Sequence, residues 1–247
     1  MNSKQQNSLH GLRVAVTGGT SGLGLALVEA LAARGAAVAF VARNEVRVAE
    51  VAGRVAGTHG ITGDVARKED IHPIVLQITG ALGGVDVLIN NASTLGPVPL
   101  ALLADTQCED LEAALTTNVV GPFRLTKALL GALVSAARAG RPALVLNIIS
   151  DAAINAYAGW GAYGASKAAL AHLGRIWDEE LHAHGVRVIA VDPGDMDTPM
   201  HAAAVPDADR ASLKRPADAA REIMALIEAH AMEARGVGRA HPESTPA

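Results

Sequence analysis

Tyr163 and Lys167 stand four residues apart in a stretch, 161–184, whose apolar pattern predicts a helix. That spacing puts both side chains on one helix face. A free phenol has a pKa of about 10, too high for efficient proton exchange near neutrality. A fixed ammonium favours the phenolate, and bringing the phenol to about 7 corresponds to ~4 kcal/mol of differential interaction. Ser150 lies thirteen residues upstream, at the end of the apolar run Leu144–Ile149. There its hydroxyl could share a carbonyl oxygen with Tyr163 and stabilise the charge that develops. Taken alone, a tyrosine and a lysine at this spacing also describe an ordinary solvated helix face.

A second group of residues points to phosphate. Thr17-Gly18-Gly19-Thr20-Ser21-Gly22-Leu23-Gly24 closes an apolar run and opens a helical pattern. Such a turn lets backbone approach a pyrophosphate, and the helix N-terminus presents unpaired N–H groups. Gly22 and Gly24 meet half of the dinucleotide fingerprint, but Leu27 stands where its third glycine belongs. A tight turn without ligand is the bland reading. At the tip of the second apolar run, Ala42-Arg43-Asn44 holds no carboxylate for an adenosine ribose, and Glu45 falls within the next helix. Arg43 suits a 2′-phosphate, with Ser21 as an added hydroxyl, so NADP(H) is expected over NAD(H). A plain surface charge remains the alternative for Arg43.

The elements that must position these groups alternate. Short Val/Ile/Leu/Ala runs at Leu12–Val16, Ala37–Val41, Val85–Ile89, Ala143–Ile149 and Val186–Val191 predict strands, with a weaker one at His59–Thr62. Runs of that kind belong to parallel strands covered on both faces. Helices are expected at 22–34, 45–57, 67–81, 107–138, 161–184 and 216–232, the fourth read as two helices with a break or kink at Gly121-Pro122. The alternation predicts a doubly wound α/β sheet with ligands at the carboxyl ends of the strands. No linker, repeat or second core is visible, so 1–247 reads as one domain, with residues 2–10 and 236–247 as frayed termini.

Composition agrees with a folded domain: 50% of residues are hydrophobic, 19% are charged, and the net charge is −4. Near-balanced charge offers no attraction for nucleic acid or an anionic membrane. The single cysteine, Cys108, excludes an intramolecular disulfide and fits a reducing, cytoplasmic compartment. No secretory leader shows at the start, and Val87–Ala104, although uncharged, is too polar to span a membrane. The histidines show no metal spacing. Lys127, Arg138 and Arg141 read as solvated. Aromatic residues are few, yet Tyr157, Trp160, Tyr163 and Trp177 crowd into one window.

The ordered set Thr17-Gly-x-x-x-Gly22-x-Gly24, Asn90-Asn91-Ala92, Ser150 and Tyr163-x-x-x-Lys167 resembles the motifs of the short-chain dehydrogenase/reductase family, over residues 11–200. The resemblance implies a Rossmann fold of six to seven parallel strands in the order 3-2-1-4-5-6-7, with helices on both faces. It implies Tyr163 as general acid/base, Ser150 as its partner on the substrate oxygen, and Lys167 lowering the tyrosine pKa and binding the nicotinamide ribose. Asn118 matches the family's helix-kinking asparagine that holds a proton-relay water. A locally bonded polar residue inside a helix is the other reading of Asn118.

Asp64 and Val65 resemble the adenine-contacting pair, and Asn90 and Ala92 would line the adenosine side and stabilise the central sheet. Pro193, Gly194, Met196 and Thr198 resemble the loop closing over the nicotinamide carboxamide. Asp195 and Asp197 within that loop are expected to cap the segment that follows. Residues 195–214 match the variable substrate lid, here short and suggestive of an open pocket. Asn155, Tyr157 and Trp160 are candidates to line it, and Gly159-Trp160-Gly161 faintly resembles sepiapterin-reductase-like members.

The chain departs from the family at its end. Only Arg235-Gly-Val-Gly-Arg-Ala240 stands where a seventh strand belongs, so that strand is expected to be short or absent. A homodimer through the helices at 107–138 and 161–184, helped by the small residues Gly164, Ala165, Ala168 and Ala169, is then at least as well supported as a homotetramer. The expected activity is hydride transfer between a nicotinamide and a carbonyl or secondary alcohol. An NAD-dependent alcohol dehydrogenase and a non-catalytic dinucleotide sensor or scaffold are the alternatives. Retention of Ser150, Tyr163 and Lys167 together weighs against the sensor.

Overall fold

The computed structural model describes residues 9–237. Strands β1 (Arg13–Thr17), β2 (Ala37–Ala42), β3 (Thr58–Thr62), β4 (Val87–Asn90), β5 (Leu144–Ile148) and β6 (Arg187–Val191) form one sheet in the order β3-β2-β1-β4-β5-β6. Every neighbouring pair is parallel. The crossovers are α1 (Gly22–Ala33), α2 (Glu45–Arg54), α3 (Lys68–Leu82), α4 (Cys108–Leu115) with α5 (Gly121–Arg138), and α6 (Gly161–Leu181). A short α7 (Pro199–Ala204) and a long α8 (Pro216–Val237) follow β6.

Both sheet faces are buried, which is why the strands read as unbroken apolar runs. Side chains alternate along each strand. Val14 and Val16 join one layer with Leu27 and Leu31 of α1 and Ile223 and Ile227 of α8. Ala15 points the other way, into a layer built with Ile74 and Ile78 of α3 and Leu125, Leu129 and Leu133 of α5. The order reverses beside β1, between β2 and β4, and in such sheets the crevice that takes ligands lies at this switch point, beyond the carboxyl ends of the strands.

Several expectations need correction. The break or kink expected near Gly121-Pro122 takes the form of a π-helical turn, Thr116–Val120, which joins α4 to α5 in a continuous helical stretch of 31 residues. Pro122 has no N–H, and its ring would clash with the carbonyl of residue 118 in a regular helix. The wider turn ahead of it removes the conflict. Leu9, expected in a frayed terminus, is 1% exposed within the first apolar layer. At the other end α8 runs to Val237, so residues 235–237 are helical rather than frayed or the start of a strand. The sheet has six strands among the described residues, while residues 2–8 and 238–247 of the termini lie outside them.

Arg141, expected to be a solvated charge, is not one. Asp86 stands just before β4 with a fully buried side chain, paired to Arg13 and Arg141 at 2.6 Å each. It also accepts the Arg13 backbone N–H at 2.8 Å. One carboxylate therefore ties together the amino ends of β1, β4 and β5, opposite the functional edge. Burial alone would raise its pKa, but the guanidiniums of Arg141 and Arg13 outweigh that and hold it below the usual carboxylate range. A depressed folded-state pKa stabilises fully above the unfolded value of about 3.9 and is lost as pH falls through the folded value. Replacing Asp86 by Ala leaves two cations without their shared partner and should cost about 3–5 kcal/mol at pH 7. Urea unfolding of both proteins at pH 7 and pH 3 measures this, and the difference should shrink at the lower pH.

Candidate active site

Every strand of the sheet's middle ends at one cleft of about 630 Å³. Its first wall is the turn between β1 and α1. Gly18 and Gly22 have φ of +72° and +51°, a region that disfavours any side chain. A Cβ on Gly24 would lie 2.1 Å from the Gly18 carbonyl oxygen, so backbone packs on backbone there. Ser21 begins α1 without a side-chain cap. The first-turn N–H groups of α1 are thus left to whatever enters the cleft.

The ends of β1 and β4 are locked to each other around this turn. Thr17 Oγ1 accepts the backbone N–H groups of Asn91 and Ala92, both at 3.0 Å. Asn91 Nδ2 donates to the Thr17 carbonyl at 2.8 Å. Asn90, expected both to line the adenosine side and to stabilise the central sheet, does only the second: it points into the sheet and donates to Asn147 Oδ1 of β5 at 2.9 Å. It is 2% exposed and lines no part of the cleft.

The far end of the cleft is cationic. Arg43, at the tip of β2, is exposed and has no ion pair among the described residues. Arg47, one turn into α2, faces the same space, a partner whose signal was its place one helical turn beyond Arg43. Asp64 and Val65 after β3 complete this end, with Asp64 Oδ1 accepting the Ala66 N–H to shape the turn.

The reactive end lies where β5 and β6 finish. Ser150 starts a 3₁₀ turn (Asp151–Ala153), accepting the Ala152 N–H. Tyr163 and Lys167, one turn apart on α6, are 8% and 2% exposed. Lys167 Nζ donates to the Ile148 carbonyl at 2.7 Å and lies 5.5 Å from the centre of the Tyr163 ring. All three side chains line the same cleft as the glycine turn, with Pro193, Gly194, Met196 and Thr198 on the facing loop.

In this environment the expected acidification of the phenol is not what the chain alone produces. Burial pushes Tyr163 up to about 12, helped by Asp192, Asp151 and Asp195 and opposed by the Ser150 hydroxyl. Burial also pushes Lys167 down to about 7. Desolvation disfavours both charged forms, and 5.5 Å between amine and ring leaves too little attraction to overcome it.

Asn118 sits in the π-turn, fully buried. Its Oδ1 accepts from Thr94 N at 2.8 Å and Ser93 Oγ at 3.1 Å. Its Nδ2 donates to the Thr94 carbonyl and to Ser166 Oγ, each at 2.8 Å, and Ser166 in turn donates to the Tyr163 carbonyl at 2.7 Å. The side chain is saturated and does not line the cleft. It joins the loop after β4 to the turn of α6 that carries Tyr163.

Of the substrate candidates, Tyr157 and Trp160 line the cleft and Asn155 does not. Asp195, expected as a cap, lines it instead, and Thr198 caps α7 by accepting the His201 N–H at 3.1 Å. Asp197 pairs with Arg210 at 2.7 Å. The lid over 195–214 is also less open than expected. Lys214 N–H donates to the Asp195 carbonyl and Asp197 N–H to the Lys214 carbonyl, both at 3.0 Å, so its two ends are stapled. Met200 and His201 from the lid line the cleft, as does Asp151, whose one signal was its place next to Ser150. No metal-sized cluster of His, Cys, Asp or Glu occurs among the described residues.

The family model described as short chain dehydrogenase matches residues 13–209. A relative named 2,5-dichloro-2,5-cyclohexadiene-1,4-diol dehydrogenase, from Sphingobium indicum, is 34% identical over 195 residues, covering 78% of this chain and 76% of its own. Among solved structures, a 3-ketoacyl-(acyl-carrier-protein) reductase from Brucella melitensis complexed with NADH superposes with a TM-score of 0.81. It is 25% identical, over 88% of this chain and 91% of its own. A short chain dehydrogenase from Burkholderia cenocepacia in complex with NADP gives 0.77 at 28% identity, over 90% and 92%.

The buried amine makes stability depend on pH. Lys167 holds a proton up to about pH 10.4 when unfolded but only to about 7 when folded. Between these values the unfolded state binds more protons, so stability rises with pH. Replacing Lys167 by Met should flatten that rise, seen as urea midpoints at pH 7, 8 and 9. Parallel pH dependence in the two proteins would refute the burial account.

Proposed function

The chain belongs to the short-chain dehydrogenase family, and from that premise we propose that it is an NADP(H)-preferring oxidoreductase acting on a carbonyl or secondary alcohol. One observation carries the reading: Ser150, Tyr163 and Lys167 open into the same cleft as the uncapped, glycine-lined start of α1. A dinucleotide fits the donors present, with backbone N–H groups at the glycine turn, arginines at one end and a buried amine at the other. When bound, its nicotinamide supplies or accepts the hydride.

The protein's own part in reduction is positioning and proton delivery. Tyr163 holds its proton on Oη at neutral pH and gives it to the substrate oxygen as that oxygen becomes basic. Ser150 supports the same oxygen. Lys167, balanced near neutrality, stands in its protonated form beside the phenolate that remains once the phenol has given its proton to the substrate oxygen, so that phenolate is not left buried without a cation. Asn118 keeps the helix turn and the loop after β4 in register, a role in geometry with the proton-relay water as its proposed companion.

Arg43 and Arg47 favour a cofactor with a 2′-phosphate, because no carboxylate stands at the end of β2 to hold a free ribose. Solved neighbours carry NADH in one case and NADP in another, so the preference proposed for this chain rests on the arginines. The Sphingobium relative is named for a cyclic diol, which supports a small secondary alcohol or its ketone. The unit is a homodimer or homotetramer in this reading, with Phe123, Ile176 and the outer face of α6 around Ala165 and Ala169 exposed for a second copy. Exposed Cys108 remains free and fits a reducing cytoplasm.

Tyr163→Phe should abolish NADPH-dependent reduction across a broad carbonyl panel while NADPH binding stays within about threefold of wild type. Full turnover in that variant would overturn the assignment, and silence of the wild type on the whole panel would favour the sensor. Arg43→Ala should weaken NADPH by about tenfold or more and leave NADH nearly unchanged. Equal weakening of both would remove the 2′-phosphate argument.

A further inference from the structure

Three carboxylates line the substrate half of the cleft. Asp151, next to Ser150, accepts hydrogen bonds from Ser150 Oγ at 3.0 Å and from the Tyr157 hydroxyl at 2.7 Å. Asp192 and Asp195 reach the cleft from the loop after β6. The cationic side chains lining it are engaged elsewhere. Arg43 and Arg47 stand at the β2 end, and Lys167 is buried with its amine on the Ile148 carbonyl. His201 is the one other basic group on the lining, contributed by α7.

Aromatic faces occupy the same half. The chain has two tyrosines and two tryptophans. Three of these four, Tyr157, Trp160 and Tyr163, line the cleft. Tyr157 is 47% exposed, and Trp160 stands edge-on to Tyr163 with ring centres 5.7 Å apart. The negative field reaches both phenols. Tyr157 is raised first by its bond to Asp151 and further by Asp195, and Tyr163, raised first by burial, is raised further by Asp192, Asp151 and Asp195. An exposed phenol tied to a carboxylate beside an indole attracts a cation twice, through its π faces and through the acid. Asp151 is itself exposed and lines the cleft, so a cation can reach its carboxylate.

We infer that this half of the cleft selects substrates bearing an ammonium group, held among Asp151, Tyr157, Trp160 and Asp195 while the reacting oxygen lies at Ser150 and Tyr163. The inference rests on the oxidoreductase reading of the site and names its substrate class: amino ketones and the matching amino alcohols. Substrates carrying a carboxylate or phosphate meet like charge and are rejected.

Three aryl ketones of one shape test it: 3-acetyl-N,N,N-trimethylanilinium, acetophenone and 3-acetylbenzoate. Turnover is read on the full chain with NADPH. Binding is read in the presence of NADP by quenching of Trp160 fluorescence in a Trp177→Phe background. The cationic ketone should be preferred over the anionic one by at least ~tenfold in both readings. That ratio should fall toward one when Asp151 and Asp195 are both changed to Asn. It should also fall in wild type as salt rises from ~0.02 to ~0.5 M, a series that does not depend on the variant folding. Equal affinity for all three ketones, or a preference that survives neutralisation and salt, overturns the inference. Charge preference in binding without any turnover would sink the oxidoreductase reading and leave the cation site standing, whereas turnover without charge preference would do the reverse.

Discussion

A lysine amine held inside the protein by one backbone carbonyl is the constraint on which the site depends. Lys167 is almost wholly buried, and its hydrogen bond to Ile148 fixes it where β5 ends. A lone amine in such a place resists its charge, and a phenol beside it resists its own. The phenol is therefore kept neutral near physiological pH while the amine is balanced between its two forms, and each becomes easier to ionise once the other does.

Holding that pair in place requires much of the surrounding polar structure. Asn118 uses all its hydrogen-bonding capacity to fasten the π-turn to the loop after β4 and, through Ser166, to the backbone of Tyr163. Thr17 and Asn91 do the same for the phosphate end, joining β1 to β4 where the sheet order reverses. Asp86 locks the opposite edge with two arginines. The cleft is thus framed by hydrogen bonds among buried polar groups, while the apolar layers supply the platform. Two charge environments share it: arginines where phosphate is expected, carboxylates and aromatic rings where substrate is expected.

The fold was legible because a parallel sheet covered on both faces demands runs such as Val38–Val41 and Leu144–Ile148, and few other structures do. The glycine turn and the Tyr163–Lys167 spacing were legible for a similar reason, since each depends on local geometry alone. What escaped depends on partners distant in the chain. Arg141 read as solvent-facing because Asp86 lies 55 residues away. Asn90 and Asn91 are adjacent and look equivalent, yet strand alternation sends one into the sheet and the other to the cleft. Pro122 signalled an interruption without revealing that a π-turn would absorb it. That burial alone raises the Tyr163 pKa was not legible, because spacing reveals which groups are neighbours but not how little water surrounds them.

The central claim is that the phenol is held protonated by burial and released only when a positive charge joins Lys167 in the cleft. An ultraviolet difference titration of wild type against Tyr163→Phe, with and without NADP, tests it most directly. The account predicts that Tyr163 alone ionises at about 12 and that saturating NADP moves its ionisation far toward neutrality. A phenol that titrates at the same pH with and without the dinucleotide would contradict it.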